Sequence, residues 1–332
     1  ALVMARRLRP SVVTMDVILR RENGIEIAAS IMAESPCPIV LVTSCDTSDR
    51  QLVYQALQVG ALEVVSKLPG PNTPEYSERV LALTRTLRNM AKVPVVTRRK
   101  RELPFSGASE PAAAKATVPA TPAASPKTIR TATTKASAPP RLIVVGASTG
   151  GPPLLRDFLA NLAGKQPIPI AIAQHISKGF GRGFAEWLRD TTGQDTVYVE
   201  RSTEMVPGRV YVAPDDADLV VEGRLFGAPR ASKCVGGVPS VDVLFSSAAT
   251  CLGSAVISLL MTGMGRDGAA GISELARAGA SILVQDPKTC AVGSMPEAAL
   301  RAAPDSTVLV PANFPKVVQR LIAGETAESN GS

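Results

Sequence analysis

Residues suited to a serine hydrolase stand at three separated points of the 332-residue chain. Ser148 lies within GASTG (146–150), which fits the G-x-S-x-G pattern, in which small neighbours permit the sharp turn that exposes a serine hydroxyl. A serine hydroxyl is a weak nucleophile at neutral pH, so it needs a base within hydrogen-bond reach. His175, the one histidine of the chain, is the candidate base, and Asp267 is the candidate for the group that orients it. Together these residue types predict acyl transfer at Ser148.

The positions of His175 and Asp267 relative to the predicted strands favour contact with Ser148. Ser148 follows the apolar strand LIVVG, and His175 ends the next strand, PIAIAQH, so a right-handed strand-helix-strand crossover brings the two strand ends together. Asp267 closes the glycine-rich loop TGMGRDG after the apolar run SAVISLLM. Two plainer interpretations stay open: a lone histidine is often structural, and an aspartate at such a position can cap the helix that follows.

The same strand, turn and helix could instead bind a phosphate, because the N–H groups of residues 149–151 gather at the positive end of a helix. A dinucleotide-binding turn, however, has glycine where Ser148 stands and an acidic residue at the end of the next strand, where this chain has His175. A P-loop closes with Gly-Lys-Ser/Thr, whereas Gly151 is followed by two prolines. A dinucleotide-dependent enzyme is therefore the least favoured alternative.

A second set of polar residues marks the ends of three strands nearer the start of the chain. Asp16 follows SVVTM, Thr43 follows PIVLV, and Lys67 follows LEVVS. In an open parallel sheet the carboxyl ends of the strands border one crevice, so we expect these side chains to converge. They resemble the site of a response-regulator receiver domain, and the resemblance implies phosphorylation at Asp16 with Thr43 and Lys67 as switch residues. The plainer alternative is that Asp16 is only a turn residue at a strand end.

The elements that must position these residues form two α/β units joined by a linker. Strand-like apolar runs alternate with helical patterns in residues 1–95 and again in 141–325, so we expect a partial flavodoxin-like receiver domain followed by a mainly parallel, doubly wound sheet. Within the second unit, DLVVEGRLFG predicts a hairpin that turns at Gly223. Residues 96–140, rich in Ala, Pro, Thr and Lys, are predicted to form a flexible linker, and 326–332 a disordered tail.

The positive charge of the chain has a local source. The formal net charge is +7, and residues 98–141 alone carry nine basic and two acidic residues, so the remainder is about neutral. Aromatic residues make up 4% of the chain, which leaves few side chains to stack on bases. These features argue against a nucleic-acid-binding protein.

The cysteines and the apolar runs bear on metal binding and location. The five cysteines are scattered without a CxxC pair or neighbouring histidines, so the sequence predicts neither a zinc site nor a disulfide framework. No apolar run reaches the about 18 residues of a membrane span, and the initial ALVMARRLRP lacks the order of a signal peptide. We therefore expect a cytoplasmic protein without membrane insertion, whose hydrolase site uses neither metal nor cofactor.

Five motifs, in order along the second unit, carry a resemblance to one family. They are LIVVGASTGG, IAIAQHI, VPGRVYVAP, PSVDVLFSSAA and LLMTGMGRDGAAG. Read with the receiver-like part and the linker ahead of them, they resemble the chemotaxis protein-glutamate methylesterases of the CheB family. The loop QDPKTCAVGSMPEAA departs from the family pattern at Pro287, Lys288 and Cys290, and this departure concerns the local loop shape rather than the three hydrolase residues.

The resemblance implies hydrolysis of glutamate γ-methyl esters on methyl-accepting chemotaxis receptors, with deamidation of receptor glutamines as a second activity. It also implies the N–H groups of Thr149 and Met264 as oxyanion donors, and the chemotaxis histidine kinase as phosphodonor for Asp16. Receivers need Mg²⁺ for this step, but the acidic pair that ends the first receiver strand has no counterpart here, and Arg20 replaces the usual proline. The resemblance therefore implies a receiver without its first strands. A phospho-regulated receptor-binding module that has lost catalysis is the second alternative.

Overall fold

The helices and strands of the computed structural model form two α/β units. The structure describes residues 1–16, 24–43, 50–93, 95, 138–162, 164, 166–223, 226–232 and 238–325. The helices within these residues are α1 (Leu2–Leu8), α2 (Gly24–Glu34), α3 (Arg50–Gln58), α4 (Tyr76–Met90), α5 (Gly151–Ala160), α6 (Gly181–Thr192), α7 (Val241–Leu252), α8 (Ala269–Arg277), α9 (Ser294–Ala302) and α10 (Phe314–Ile322). The predicted linker lies outside the described residues except for 138–140, and the predicted tail lies outside them entirely.

The strands belong to three sheets. They are β1 (Val13–Met15), β2 (Ile39–Thr43), β3 (Glu63–Ser66), β4 (Leu142–Ala147), β5 (Ile170–Gln174), β6 (Asp195–Tyr198), β7 (Thr203–Glu204), β8 (Arg209–Val212), β9 (Asp218–Glu222), β10 (Phe226–Arg230), β11 (Val256–Leu260), β12 (Ser281–Gln285) and β13 (Thr307–Leu309). Seven of them form the large sheet of the second unit, in the order β13-β12-β11-β4-β5-β8-β6.

The large sheet is parallel throughout, with β4 at its centre. Strand β4 pairs with β11 on one side and with β5 on the other, so the carboxyl ends of these three strands lie side by side. The register sets Gly146 against Leu260 and Ala147 against Gln174. The predicted mainly parallel sheet is confirmed.

Helices cover both faces of this sheet. Along β4 the side chains alternate: Ile143 and Val145 belong to the apolar core beneath α5, α6 and α10, whereas Leu142 and Val144 belong to the core beneath α7, α8 and α9. All four are 0% exposed. Successive side chains of a strand point to opposite faces, so an uninterrupted apolar strand is what a sheet with two covered faces requires.

The first unit has a three-stranded parallel sheet of order β1-β2-β3. Its core includes Ile31 of α2, Leu41 of β2 and Val53 of α3, each at most 1% exposed. The parallel pairing of the three strands agrees with the predicted receiver-like fold.

An aromatic cluster joins the two units. Tyr54 of α3 packs against Phe184 and Trp187 of α6, with ring centroids 5.7 and 5.2 Å from that of Tyr54. The Tyr54 hydroxyl also donates a hydrogen bond to the carbonyl oxygen of Phe180 at 2.5 Å. The first unit is therefore packed directly against the second, with a shared apolar core.

The predicted hairpin is present as an antiparallel pair. Strands β9 and β10 pair in antiparallel fashion, β7 adds a third strand, and Gly223 follows β9 with a φ of 51°.

Of the helices that the structure describes, none has the length and apolar character that a bilayer crossing requires.

Candidate active site

Ser148 stands directly after β4, in the turn that leads into α5. Gly150 is the N-cap residue of α5 with a φ of 78°, a left-handed conformation that glycine adopts without strain. The N–H of Gly151 donates to the carbonyl oxygen of Ser148 at 2.8 Å and closes the turn. The expectation that all N–H groups of residues 149–151 are available to a ligand is therefore wrong for Gly151.

His175 follows β5, the neighbour of β4. Its N–H donates to the carbonyl oxygen of Ala147 at 3.0 Å, which continues the ladder between the two strands. This register sets the imidazole beside the serine, with Nδ1 of His175 at 3.1 Å from Oγ of Ser148. At that distance the hydroxyl can donate to an unprotonated Nδ1, as general base catalysis requires.

Asp267 reaches the imidazole from the loop between β11 and α8, on the other side of β4. Its Oδ2 lies 2.7 Å from Nε2 of His175, and the two side chains are 16% and 14% exposed. A proton on Nε2, donated to the carboxylate, leaves Nδ1 as an acceptor for the hydroxyl of Ser148. The structure thus brings the three predicted residues into contact, with Nδ1 toward the serine and Nε2 toward the carboxylate.

The N-terminus of α7 also holds the carboxylate of Asp267. The N–H groups of Val241 and Asp242 donate to its oxygens at 2.7 and 2.9 Å, and the hydroxyl of Ser240, the N-cap residue of α7, donates at 3.1 Å. The partial positive charge of a helix N-terminus stabilises a carboxylate at this position. The plainer interpretation of Asp267 as the N-cap of the following helix is wrong, because the N-cap residue of α8 is Gly268. Three of the donors to the Asp267 carboxylate belong instead to the start of α7.

These donors fix the charge of Asp267. Burial alone would raise the pKa of its carboxyl, but the hydrogen bonds from His175 and from the N–H groups of Asp242 and Val241 outweigh burial and lower the pKa to about 2. At Asp242, by contrast, burial raises the pKa, and the charge of Asp267 adds to the rise. Asp267 is therefore ionised at neutral pH and can stabilise an imidazolium.

Gln174, the last residue of β5, links the strand ends that carry the serine and the histidine. Its Nε2 donates to the carbonyl oxygens of Ser148 and His175 at 2.9 and 2.8 Å, and the residue is 3% exposed. Gln174 was not among the residues predicted from the sequence. The feature that could have indicated it is its position: Gln174 is a polar residue at the end of an otherwise apolar strand, directly before the candidate base.

The N–H groups predicted to bind an oxyanion belong to two loops in contact. The hydroxyl of Thr262 donates to the carbonyl oxygen of Thr149 at 3.0 Å. Gly263, next to Met264, lies so close to the nucleophile that a Cβ on it would be 2.8 Å from Cβ of Ser148. Within the described part of the chain, neither the N–H of Thr149 nor that of Met264 donates a hydrogen bond. Both remain candidate oxyanion donors.

The loop after β12 borders the candidate site and contains a cysteine. The N–H of Gly263 donates to the carbonyl oxygen of Val292 at 2.9 Å, which attaches this loop to the glycine-rich one. Burial, together with the charge of Asp286, raises the pKa of the Cys290 thiol to about 12. Since the thiolate is the reactive form of cysteine, Cys290 is not a competing nucleophile at neutral pH.

The predicted phosphorylation site lies at the carboxyl edge of the small sheet. Nζ of Lys67 is 2.6 Å from Oδ2 of Asp16, so these two residues are in contact. Thr43 ends β2, the strand between theirs, but it is 1% exposed and its hydroxyl has no hydrogen-bond partner among the described residues. The phosphoacceptor and switch roles of these residues stay predictions.

The described residues around Asp16 supply one carboxylate, while residues 17–23 and 44–49 lie outside the described part of the chain. Nowhere in the described ranges do three or more His, Cys, Asp or Glu side chains form a group that could hold a metal ion. Asp16 is paired with Lys67 instead. Mg²⁺ is held by oxygen ligands, most often carboxylates, phosphates and waters, so the one carboxylate among the described residues would have to be joined by further oxygen ligands.

The first unit covers the cleft beside the nucleophile. Glu63, the first residue of β3, accepts a hydrogen bond from the hydroxyl of Thr149 at 3.0 Å. The cavity left between the units has a volume of about 20 Å³, and Glu63, Ser148 and His175 are among its lining residues. That volume accommodates about one water molecule. Among the described residues, this cavity therefore has no room for an ester side chain while the units are in this contact.

Comparison with known proteins points to one family. Residues 143–318 match the family described as CheB methylesterase. A protein from Anaeromyxobacter dehalogenans (strain 2CP-C), named protein-glutamate methylesterase/protein-glutamine glutaminase 3, is 37% identical over 313 residues, which cover 94% of this chain and 85% of the relative. The similarly named protein 4 from Myxococcus xanthus (strain DK1622) is 37% identical over 298 residues, with coverages of 89% and 79%.

A solved structure agrees with these similarities. The crystal structure of the Thermotoga maritima CheB methylesterase catalytic domain superposes with a TM-score of 0.52 at 31% sequence identity. The match covers 55% of this chain and 98% of that domain.

Proposed function

The chain belongs to the CheB methylesterase family, with a receiver-like unit ahead of its large sheet, and on that basis we propose that it hydrolyses γ-methyl esters of glutamate side chains in chemoreceptors. The observation that carries the proposal is the contact of one imidazole with two partners, since His175 lies 3.1 Å from the hydroxyl of Ser148 and 2.7 Å from the carboxylate of Asp267. Such a set activates a serine for acyl transfer. The relatives from Anaeromyxobacter dehalogenans and Myxococcus xanthus carry the name of this activity.

The first half of the reaction acylates the serine. Oγ of Ser148 attacks the ester carbonyl carbon while its proton passes to Nδ1 of His175. The carbonyl oxygen becomes an oxyanion, which the N–H groups of Thr149 and Met264 stabilise. The tetrahedral intermediate then collapses. The bond between the carbonyl carbon and the methoxy oxygen breaks, the imidazolium of His175 gives its proton to the methoxy oxygen, and methanol leaves.

The second half of the reaction restores the serine. Water attacks the acyl-enzyme carbonyl and gives a proton to Nδ1 of His175, which passes it to Oγ of Ser148 as the acyl bond breaks. The product is the glutamate carboxylate. Throughout both halves, Asp267 keeps the Nε2 proton in place and stabilises the imidazolium. With a glutamine substrate the same steps release ammonia, and this deamidation is the second activity that we propose.

The proposal includes regulation by the receiver-like unit. The contact between Glu63 and Thr149 and the small volume of the cleft support a covered, slow state. Transfer of a phosphoryl group from the chemotaxis histidine kinase to Asp16, with Thr43 and Lys67 as switch residues, would favour a state in which the units separate.

Methanol release from a methylated chemoreceptor tests the esterase. The variant Ser148→Ala should abolish methanol release and labelling by a fluorophosphonate, while its melting temperature stays close to that of the parent chain. Retained turnover in this variant would remove Ser148 from the mechanism. A chain that binds chemoreceptor but neither releases methanol nor reacts with the fluorophosphonate would instead be a binding module without catalysis.

A further inference from the structure

A glutamate of the first unit occupies the cleft of the second. Glu63 opens β3, and its Oε2 accepts a hydrogen bond from the Thr149 hydroxyl at 3.0 Å. Thr149 is 3% exposed and directly follows Ser148. Glutamate is also the side chain that the proposed esterase produces. The carboxyl of Glu63 therefore resembles the reaction product, and it contacts the residue next to the nucleophile.

The surroundings of the Glu63 carboxyl combine burial with hydrogen-bond donors, as a carboxyl-binding site does. Burial raises the pKa of Glu63, whereas the hydrogen bonds from Thr149 and from the N–H of Val64 and the charge of nearby His175 act to lower it. The Thr149 hydroxyl, an uncharged donor, can donate a hydrogen bond to an oxygen of a neutral ester as well as to one of a carboxylate. Such a site suits both the substrate and the product of the proposed reaction.

Two further contacts hold β3 and α3 against the cleft without entering it. The hydroxyl of Ser177 donates to the carbonyl oxygen of Val64 at 2.9 Å, and that of Tyr54 donates to the carbonyl oxygen of Phe180 at 2.5 Å. The interface between the units thus does not depend on Glu63 for its attachment. The carboxyl is the part of the first unit that contacts Thr149.

We propose that Glu63 is an internal product analogue, and that the Thr149 hydroxyl it contacts is the group that binds the γ-carboxyl of the substrate. This inference rests on the proposed esterase function and adds a specificity-determining residue to it. In the covered state Thr149 donates to Glu63; in the open state it donates to an oxygen of the glutamyl ester. The side chain of Thr149 thereby selects carboxyl derivatives, separately from the oxyanion role of its backbone N–H.

The test measures the rate of fluorophosphonate labelling at Ser148 in the full chain. The variant Glu63→Ala should be labelled about fivefold faster than the parent, the change expected for loss of one hydrogen bond from the covered state. A peptide with a single glutamate should then slow labelling of this variant more than labelling of the parent. The same peptide with norleucine in place of glutamate should have no such effect.

The Thr149→Val exchange, made in the Glu63→Ala background, should abolish protection by the glutamyl peptide. Tyr54→Phe is the matched control, because it removes another interdomain hydrogen bond and leaves Glu63 in place. Glu63→Asp keeps the charge, but its side chain is too short to contact Thr149, so it should be labelled as fast as Glu63→Ala. It replaces Glu63→Ala in the test if Glu63→Ala does not fold.

Three results are separable. Labelling of Glu63→Ala or Glu63→Asp no faster than that of the parent would overturn the product-analogue role of Glu63. The same acceleration by Glu63→Ala in a chain whose Thr149 is already Val would also overturn it, whereas Tyr54→Phe should keep its own acceleration in that background. Equal protection with and without the Thr149 hydroxyl would overturn its role in binding the carboxyl. Absence of labelling and of methanol release from every chain would instead refute the esterase function, and calorimetric binding of the glutamyl peptide to Glu63→Ala would still decide the role of the subsite.

Discussion

The imidazole of His175 and the carboxylate of Asp267 meet at 2.7 Å, and the oxygen that makes this contact also accepts the N–H of Val241 at 2.7 Å. The start of α7 therefore fixes the carboxylate that orients the base. Two of the strands at the centre of the sheet supply the serine and the histidine, and a helix N-terminus holds the third group.

Ser240 should affect both stability and catalysis. Its hydroxyl donates to Asp267 at 3.1 Å and accepts the N–H of Val243 at 3.3 Å as the N-cap of α7. Ser240→Ala should lower the free energy of unfolding by about 1 kcal/mol and lower kcat for methanol release by about tenfold. Urea denaturation and a steady-state methanol assay measure the two effects.

Ser306→Ala is the control for Ser240→Ala. The Ser306 hydroxyl is also buried and donates to the carbonyl oxygen of Ala303 at 2.7 Å, away from the triad. This variant should lose stability and keep kcat. Unchanged kcat in Ser240→Ala would mean that the hydroxyl does not position the carboxylate.

Acid should destabilise the chain partly through Asp267. Its folded pKa of about 2 lies below the ordinary value of 3.8. A depressed carboxyl pKa stabilises the fold fully above about pH 4, and this stabilisation is lost as the pH falls toward about 2. The loss should amount to about 2 kcal/mol, because each pKa unit corresponds to about 1.4 kcal/mol and the side chain is largely buried.

The measurement is the free energy of unfolding by urea between pH 5 and pH 2.5. Asp267→Asn should flatten the pH dependence in this range, whereas Ser148→Ala, which removes no titrating group, should leave it unchanged. The same slope in Asp267→Asn as in the parent would contradict the assignment.

Gln174 should position the two strand ends rather than react. Gln174→Leu removes both hydrogen bonds from Nε2 and should lower kcat by about tenfold, since it leaves two carbonyl oxygens without this donor. Gln174→Glu presents acceptors to the same carbonyls and should be impaired at least as much. Methanol release and fluorophosphonate labelling report the change, and KM should stay close to that of the parent.

The control for this exchange is Gln194→Leu. Gln194 donates to the carbonyl oxygen of Leu159, remote from the serine, at 3.3 Å. It should be as active as the parent. If Gln174→Leu lost stability but kept kcat, Gln174 would have a purely structural role.

Gly263 should tolerate no side chain. A Cβ on it would lie 2.1 Å from Sδ of Met295 and 2.8 Å from Cβ of Ser148, so Gly263→Ala must displace the loop that contains Met264. Displacing an oxyanion donor typically costs about 100-fold in kcat, and we expect a loss of that size. Gly70→Ala is the control, because a Cβ there has no neighbour within 4 Å. A kcat within twofold of the parent for Gly263→Ala would exclude the loop from oxyanion binding.

The sequence was sufficient to predict the contact of Ser148, His175 and Asp267 because each follows an apolar strand. Parallel strands with right-handed crossovers bring their carboxyl ends to one edge, so local pattern and handedness together determine the convergence. The same reasoning predicted that Asp16 lies near Lys67, and the two side chains are in contact at 2.6 Å. Their roles in phosphorylation stay predictions.

The sequence could not predict the contacts that depend on how separate elements pack. The start of α7 donates hydrogen bonds to Asp267, but the whole of α7 and the strand β11 lie between these residues in the chain. No periodic pattern in the sequence connects PSVDV with GRDG. The contact of Glu63 with Thr149 crosses between two units joined by a long polar segment, and no local pattern determines how such units meet. The role of Gln174 depends on the sheet register, which pairs it with Ala147 and so brings its Nε2 to the carbonyl oxygen of Ser148.

The aromatic cluster between the units gives the molecule an optical reporter. Trp187 is the single tryptophan of the chain, it is 3% exposed, and Tyr54 from the other unit stacks on it. Separation of the units would hydrate the indole and shift its emission to longer wavelength. Unmodified protein would thus reveal by fluorescence, in real time, whether its cleft is covered or open.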